Sequence, residues 1–470
     1  MENEWGGCFV GTLYIASYLR KHRKDVEIKV INKDYLSEIE EFNPDIIGIS
    51  SVSNEFYEVT HLAKKIKEKW KDTPLVIGGV HITMVPKDFM KAVFDVGVIA
   101  EGEKTFLELV NQLEKDGNKV IPKNLKSIKG LVFKINNKLH LTERREPIKN
   151  LDEIPIPAYD LLDMEKLLLP GPAKRRLIGI RGYLATSRGC PYNCVFCSSN
   201  AFWKTVRYYS EERVVKEMEL WIKKYKADHI IIQDDLFAFS KPRLRKIIKL
   251  MKERKILGKT TFEIMARANH IDQEMVDLLA EINVNAVSFG FESGSERVLN
   301  YLKKGSVTVE QGINAIKLCN EKGFLIHGLF IIGSPGETEE DLKLTLKFIR
   351  ENKIDVVAIF HAMPCPGTDF WDKAVEYDVI DDTYYEQQNR GNMKELNLDF
   401  ILTQEIPKER YAKWFKLFKE EQRKINSRFK YKFKIRWIYI QKMLSSKFIE
   451  KLLIKDTDKL KYWSTKLIKR

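Results

Sequence analysis

The chain has 470 residues, of which 44% are hydrophobic and 31% are charged, and this length predicts a folded protein of two or three domains. It contains no run of about 18 or more apolar residues, which argues against a membrane span, and residues 1–4 lack the features of a secretory signal. The net charge of +14 lies in the tail, because residues 407–470 contain 21 Lys or Arg and 6 Asp or Glu. The charge therefore gives no reason to expect a nucleic-acid partner for the body of the protein.

The first part of the chain alternates short apolar segments with amphipathic ones. Strands are predicted at residues 27–31, 46–50, 75–77 and 96–99. Apolar residues recur with helical spacing at 59–70 and 104–113. This alternation predicts a Rossmann-like, doubly wound parallel sheet within residues 1–118. Ligands of such sheets bind beyond the carboxyl ends of the strands, which here carry Ser50-Ser51, Gly78-Gly79 and Glu101-Gly102-Glu103.

A second series of strands and helices begins near Gly182. Residues 119–175, with a hairpin candidate and a proline-containing stretch at 151–157, are predicted to be a connector. The strands predicted after it are residues 183–187, 230–233, 262–266, 286–290, 325–332 and 356–362. Six such units predict an α/β fold in which residues 176–395 form a partial (β/α)6 barrel. Residues 396–470 are predicted to form a basic, mainly helical extension.

Three of the six cysteines lie within eight positions, directly after the first barrel strand. Cys190, Cys194 and Cys197 have the spacing Cys-x3-Cys-x2-Cys, and three thiolates on one loop can reach three corners of a 4Fe–4S cluster. Most such clusters have four thiolate ligands, so one iron would stay open to bind a substrate or cofactor. The sparse cysteines exclude a disulfide scaffold and are typical of a metal or redox site in a reducing cytosol.

Two other interpretations of the triplet stay open. A three-cysteine zinc site would need a histidine, but no His lies within thirty residues of Cys190 or Cys197, and zinc motifs favour cysteine pairs. The cysteines could instead be buried apolar side chains.

The triplet resembles the signature of the radical S-adenosylmethionine (SAM) superfamily, and the resemblance extends through most of the barrel. In that family the open iron binds the amino and carboxyl groups of SAM. The resemblance implies that one electron from the cluster breaks the sulfonium bond and releases a 5′-deoxyadenosyl radical. It also implies a low-potential electron donor such as ferredoxin or flavodoxin.

Two later motifs resemble the parts of the family that contact SAM. One spans residues 290–295 and the other residues 328–336, and the cofactor-binding candidates in them are Glu292, Ser293, Gly333, Pro335 and Gly336. A carboxylate such as Glu292 can pair with the SAM ammonium or ribose hydroxyls, and glycines let the backbone approach the ligand. A solvated loop acid is the alternative interpretation of Glu292.

Three charged residues at the ends of barrel strands are candidate catalytic residues. Asp234 and Asp235 follow the second predicted strand, where paired acids could move protons or orient a substrate, or could be ordinary loop acids. Arg267 follows the third strand and could contact a carboxylate. Cys365 lies in a stretch that resembles the family's last barrel loop, where it could relay a radical or be a buried apolar cysteine.

The order of a Rossmann-like domain, a connector and a radical SAM barrel resembles cobalamin-dependent radical SAM enzymes, many of which are methyltransferases. The resemblance implies cobalamin between the two domains, near Ser51, Gly78 and Gly79. No residue fits the Asp-x-His-x-x-Gly motif that supplies a cobalt ligand elsewhere, so a base-off cofactor is expected. His81 could face the corrin or be a satisfied strand-end histidine. The family domain opens with a strand, for which this chain has only about ten residues before the helix at 11–20.

The leading functional hypothesis is a cobalamin-dependent radical SAM enzyme that methylates or rearranges an unactivated carbon of a small or lipid-like molecule. The alternatives are a cobalamin-free radical SAM enzyme with a structural or substrate-binding amino-terminal domain, and an iron–sulfur electron carrier with an RNA-binding tail. Alternating aromatic and basic residues at 428–437, with Trp414, Phe418, Trp437 and Trp463, suit an anionic membrane surface. A helical cap on the barrel is the other interpretation of the tail. A cytoplasmic location is expected, with contact to the inner membrane surface.

Overall fold

The computed structural model describes residues 10–32, 34–162, 180–381, 384 and 400–427. Within these residues the chain forms an amino-terminal α/β domain and a half-open barrel. None of the described helices is both long and apolar enough to cross a membrane.

The amino-terminal sheet has five strands in the order β1 to β5. Their bounds are Ile47–Ser50 (β1), Leu75–Gly78 (β2), Val96–Val98 (β3), Leu131–Ile135 (β4) and Lys138–Leu141 (β5). The first three strands are parallel, and β4 and β5 are an antiparallel hairpin added beside β3. The helices of this part are Val10–His22 (α1), Tyr35–Phe42 (α2), Phe56–Lys69 (α3), Val80–Met84 (α4), Gly102–Lys115 (α5) and Pro122–Leu125 (α6).

Two features of this sheet differ from the sequence-based expectation. The hairpin expected within the connector extends the amino-terminal sheet, because Leu131–Ile135 pairs with Val96–Val98. The strand predicted at residues 27–31 is wrong, since these residues form no strand. A strand needs a hydrogen-bonded neighbour, and β1 is the edge of the sheet as far as it is described.

The barrel contains six parallel strands whose spatial order follows the chain. Their bounds are Arg181–Leu184 (β6), His229–Ile232 (β9), Thr261–Ala266 (β10), Val284–Glu292 (β11), Leu325–Ile332 (β12) and Val356–His361 (β13), and a separate two-stranded ribbon joins Ser187–Arg188 (β7) to Arg207–Tyr208 (β8). All six predicted barrel strands are confirmed within a few residues. The first is shorter than predicted because the chain turns away after Leu184 and enters the ribbon.

Seven of the nine helices described in the rest of the chain begin after a capping side chain. The bounds of the nine helices are Ser199–Trp203 (α7), Glu211–Lys223 (α8), Lys241–Glu253 (α9), Gln273–Glu281 (α10), Glu296–Lys303 (α11), Val309–Glu321 (α12), Glu339–Glu351 (α13), Asp369–Glu376 (α14) and Lys408–Asn426 (α15). A Ser, Thr or Asp side chain accepts a backbone N–H at the start of each helix from α8 to α14. Each such cap stabilises its helix by about 1 kcal/mol. Local sequence therefore fixes where these helices begin.

Helix α15 covers the exposed edge of the barrel sheet. Asn426 exchanges two hydrogen bonds with the backbone of Val357, at 2.9 and 3.0 Å. Gln422 accepts the N–H of Ile359 at 3.0 Å, and Lys419 donates to the carbonyl of Ile359 at 2.6 Å. Side chains thus take the place of a further strand on β13, which blocks edge-to-edge pairing. Trp414 and Phe418, named above as membrane anchors, pack against the core, whereas Trp437 and Trp463 lie outside the described residues.

Candidate active site at the cysteine loop

The cysteine loop leaves the barrel through the ribbon formed by β7 and β8. Gly189 has a φ of +88°, and a side chain there would come within 2.6 Å of the Thr205 carbonyl, so only glycine fits this turn. The loop then carries Cys190, Cys194 and Cys197, all half-buried and not in disulfides. The N–H of Cys197 donates to the carbonyl of Cys194 at 3.1 Å, which folds the three cysteines into one compact turn before α7.

The three thiols fit a cluster that supplies positive charge. Burial raises the pKa of Cys190, and it raises the pKa of Cys197 to about 11, with further contributions from Asp235 and the neighbouring thiols. Thiolates at these positions therefore need cations such as cluster irons. No group of three or more His, Cys, Asp or Glu among the described residues is arranged to hold a single metal ion. A 4Fe–4S cluster does not need such convergence, because each thiolate binds a different iron.

Asp234 and Asp235 point in different directions, as adjacent residues at a strand end do. Asp234 is buried, and its carboxylate accepts hydrogen bonds from the backbone and hydroxyl groups of both Thr186 and Ser187. Both of its carboxylate oxygens are therefore occupied by hydrogen bonds, and its predicted catalytic role stays a prediction. Asp234 holds the segment that leads into the cysteine loop.

Asp235 keeps an open face and lies beside the cysteine loop. Its Oδ2 accepts a hydrogen bond from Ser199 at 2.5 Å, and its charge acts on Cys190 and Cys197. Partial burial raises the pKa of this carboxyl. Of the two acids, Asp235 is the one placed where it can act on a bound ligand.

Glu292 is buried and paired with a lysine. Its φ is +64°, and its Oε1 accepts from the Nζ of Lys303 at 2.7 Å. A side chain at Gly290 would come within 2.2 Å of that oxygen, so the carboxylate folds back over Gly290. Lys303 also lies 5.2 Å from the centre of the Phe196 ring, inside the cysteine loop. The pair therefore joins the motif at 290–295 to the cysteine loop.

The other candidates in the SAM motifs shape loops. Ser293 is buried, and its hydroxyl contacts Thr345 at 3.0 Å and accepts the N–H of Ser295. Its expected contact with SAM stays a prediction. Gly333 has a φ of +83°, and a side chain there would lie 2.5 Å from the Tyr411 hydroxyl. Gly336 has a φ of +70° and open space beside it, and Pro335 lies between them. Of these two glycines, Gly336 has open space beside its Cα and Gly333 does not.

Glu337 fixes the backbone of the loop at 333–336, and it was not among the site residues predicted from the sequence. Its Oε2 accepts the backbone N–H groups of Gly333 and Ser334, while its buried Oε1 has no hydrogen-bond partner among the described residues. Burial raises the pKa of Glu337 from 4.5 to about 8. A proton on this carboxyl at neutral pH follows from these observations.

Glu337→Gln is expected to remove a pH-dependent loss of stability. The pKa of Glu337 is higher in the folded protein than in the unfolded chain, so its contribution is full below pH 4.5 and is lost as the pH rises to about 8. Across this pH range the free energy of unfolding of the variant should rise relative to that of the wild type, by up to about 1.4 kcal/mol per unit of pKa shift. Thermal unfolding of both proteins at pH 5, 6.5 and 8 measures this. The same difference in stability between the two proteins at all three pH values would contradict the prediction.

The carboxyl edge of the amino-terminal sheet is built from close backbone contacts. Ser51 donates its N–H to the carbonyl of Gly78, and its own carbonyl accepts the N–H of His81. Gly79 has a φ of +100°, and a side chain there would lie 2.5 Å from the Ser51 carbonyl. His81 is fully buried, lies 3.3 Å from Asp88 and stacks on Phe56. Its burial against Phe56 and Asp88 supports the interpretation as a packed strand-end histidine, and contact with a corrin stays a prediction.

Four buried charges join this edge to the cysteine loop. Arg188, two residues before Cys190, pairs with Glu101 at 2.6 Å and with Glu103 at 2.5 Å. Arg207 also pairs with Glu101, at 2.8 Å. Burial alone would raise the pKa of Glu101, but the two arginines hold it below its usual value. The pairs link residues 85 or more positions apart, so nothing local in the sequence reveals them.

Short segments from both domains also meet beside the cysteine loop. Helix α4 packs against α7, which follows Cys197. A side chain at Gly367 would come within 2.3 Å of Met84 in α4 and 3.3 Å of Ala201 in α7. Cys365 lies in the same loop as Gly367, and burial raises its pKa. Both interpretations of Cys365 stay open. The cysteine loop therefore faces the sheet edge that carries Ser51 and Gly79, across a closely packed junction.

Comparison with known proteins agrees with this architecture. Residues 184–349 match the radical SAM superfamily, and residues 9–110 match the B12 binding domain. An uncharacterized methyltransferase of Pyrococcus horikoshii is 35% identical over 382 residues, which cover 79% of each chain.

Two solved structures share the fold. One is the radical SAM methyltransferase TsrM from Kitasatospora setae with cobalamin and a 4Fe–4S cluster bound, at 18% identity and a TM-score of 0.61, covering 77% of this chain and 72% of that one. The other is the cobalamin-dependent SAM radical enzyme OxsB with aqua-cobalamin and SAM bound, at 20% identity and a TM-score of 0.62, covering 87% and 59%. The matched domains and the similarity to the Pyrococcus protein confirm the resemblance drawn from the cysteine triplet and the domain order. The chain belongs to the radical SAM superfamily and carries an amino-terminal B12-binding domain.

Proposed function

We propose that this protein is a cobalamin-dependent radical SAM methyltransferase that acts on an unactivated carbon. One observation carries the proposal: the edge that follows β3 is joined by buried ion pairs to Arg188, two residues before the first cysteine. The ligand-binding edge of the B12-binding domain and the cysteine loop are therefore held in one fixed arrangement. The match of residues 9–110 to the B12 binding domain favours this function over a cobalamin-free enzyme with a structural amino-terminal domain.

The residues divide into those that hold cofactors and those that hold the loops. Cys190, Cys194 and Cys197 would bind a 4Fe–4S cluster, which supplies the electron for SAM cleavage. The loop ending at Gly336 would receive part of SAM, and the edge at Gly79 would receive cobalamin, which carries the methyl group. Asp234, Ser293 and Glu337 keep the backbone of these loops in place.

Asp235 is the side chain we assign to the reacting ligands. It lies next to the cysteines, and burial raises its pKa above the usual value of an aspartate. Its carboxylate is placed to orient a bound ligand. Its carboxylate accepts a hydrogen bond from Ser199, the first residue of α7, which follows the cysteine loop directly.

The partners follow from the chemistry of the site. We infer a small or lipid-like substrate and a low-potential electron donor such as ferredoxin or flavodoxin, in a cytoplasmic location. The relative from Pyrococcus horikoshii is described as a methyltransferase, which supports methyl transfer over rearrangement. A peripheral contact of residues 428–470 with an anionic membrane is a separate proposal, and those residues lie outside the described part of the chain.

Cobalamin binding tests the proposed function directly. Protein purified without oxygen from cells supplied with a corrinoid should contain cobalamin with a base-off spectrum, together with about four irons per chain. Gly79→Ala should reduce bound cobalamin strongly, because the added methyl group collides with the Ser51 carbonyl. Gly117→Ala is the matched control, since Gly117 also has a positive φ, of +65°, but open space around it.

The two main alternatives give different outcomes. Deoxyadenosine formation without bound corrinoid would favour the cobalamin-free enzyme. A protein that contains the irons but does not cleave SAM would favour an electron carrier. Methylated product that requires cobalamin supports the proposal.

A further inference from the structure

Arg267 directly follows β10 and reaches into the cysteine loop. Its Nη1 donates to the Sγ of Cys194 at 3.3 Å. Its guanidinium lies 3.9 Å from the centre of the Tyr192 ring, a residue inside the same loop. The side chain is only 7% exposed, so this contact is shielded from water and from salt.

The position of the guanidinium is fixed from several sides. Its Nη2 donates to the hydroxyl of Ser306, which in turn donates to the carbonyl of Lys303. The Tyr192 hydroxyl is bonded to His270 at 2.6 Å and receives a hydrogen bond from Asn269 at 3.0 Å. Arg267 therefore cannot swing away from Cys194 without breaking contacts on two neighbouring elements.

No described carboxylate forms an ion pair with Arg267, and this sets it apart from other buried arginines of the barrel. Arg188 and Arg207 each pair with a glutamate. A buried cation without an opposite charge is costly. The three cysteines become thiolates when they bind iron, and they then supply the negative charge that Arg267 lacks.

We propose that Arg267 is a tuning residue that raises the reduction potential of the cluster through its hydrogen bond to Cys194. The inference rests on the proposed 4Fe–4S cluster at the three cysteines. Reduction adds negative charge to the cluster, and a positive N–H donor at a ligand sulfur stabilises that charge. Its role thus differs from the substrate-carboxylate contact that the sequence suggested.

The potential of the SAM-free cluster tests this assignment. Full-length wild type, Arg267→Gln, Arg267→Lys and Arg245→Gln are reconstituted, counted for iron and titrated with reductant while the reduced cluster is followed by electron paramagnetic resonance. Arg267→Gln should shift the midpoint to a more negative potential. Arg267→Lys keeps the charge but loses the planar donor, and it should fall between Gln and wild type. Arg245→Gln removes a surface arginine, 53% exposed, that pairs with Glu274, and it should stay at the wild-type potential.

The possible failures are distinguishable. If Arg267 binds the SAM carboxylate instead, both variants will lose SAM affinity while the potential of the SAM-free cluster stays unchanged, and the proposal is overturned. If Arg267→Gln takes up no iron, the potential of the cluster in Arg267→Lys is the test. A wild-type potential in Arg267→Lys rejects the tuning role, and a more negative potential supports it. A wild-type protein without iron would mean that the proposed function itself has failed.

Discussion

Replacing any one of Cys190, Cys194 and Cys197 with Ala abolishes the iron–sulfur cluster and the formation of 5′-deoxyadenosine. The loop offers three thiols, and no other cysteine lies within 100 positions of them in the chain, so no neighbour in sequence replaces a lost ligand. Iron should fall from about four per chain to background after anaerobic reconstitution. Deoxyadenosine production with dithionite should fall with it, because SAM needs the open iron and its electron.

Cys319→Ala provides the control for general effects of losing a thiol. Cys319 is fully buried in α12, and burial raises its pKa to about 12, so it is an apolar packing residue. This variant should keep the iron content and the SAM cleavage of the wild type, with a modest loss of stability. SAM cleavage at the wild-type rate in a variant with all three loop cysteines replaced by Ala would refute the assignment.

Features that depend on neighbours in sequence were predictable. The barrel strands are apolar runs separated by helices that begin at polar caps such as Ser240 and Thr308, and both signals lie within a few residues. The cysteine triplet is equally local. The strand at residues 27–31 was predicted from the same kind of apolar run, but pairing depends on a distant segment, and the described sheet provides none.

The candidate site was harder to predict because its side chains are sorted by contacts across the chain. Asp234 and Asp235 are adjacent in sequence, yet one is enclosed by Thr186 and Ser187 and the other faces the cysteine loop. Glu292 matched a ligand-contact motif, but Lys303, eleven residues later, takes its carboxylate. Residue type and position after a strand indicated the right region, whereas the partner of each side chain needed the three-dimensional structure.

The junction of the two domains is where the second large effect is expected. Arg188→Met should lower the free energy of unfolding by about 3–5 kcal/mol, because it leaves a buried carboxylate without its cation. Arg188 is the one partner found for the carboxylate of Glu103 among the described ion pairs, whereas Glu101 keeps Arg207. Contacts of the guanidinium with the rings of Tyr14 and Trp203, at 5.2 and 5.4 Å, are lost as well. Chemical denaturation of the metal-free protein measures the change.

A double variant separates the charge from the packing. If the uncompensated charge of Glu103 causes the loss, adding Glu103→Gln to Arg188→Met should recover part of it, since a neutral amide costs less to bury than a carboxylate. Lys252→Gln is the surface control: its pair with Glu281 is 57% and 40% exposed, and exposed pairs contribute about 0–1 kcal/mol. A double variant no more stable than Arg188→Met would show that packing against Tyr14 and Trp203 is the main contribution. Because Arg188 lies two residues before Cys190, recovery in the double variant would also show that the charge of Glu103 helps to hold the cysteine loop against the B12-binding domain.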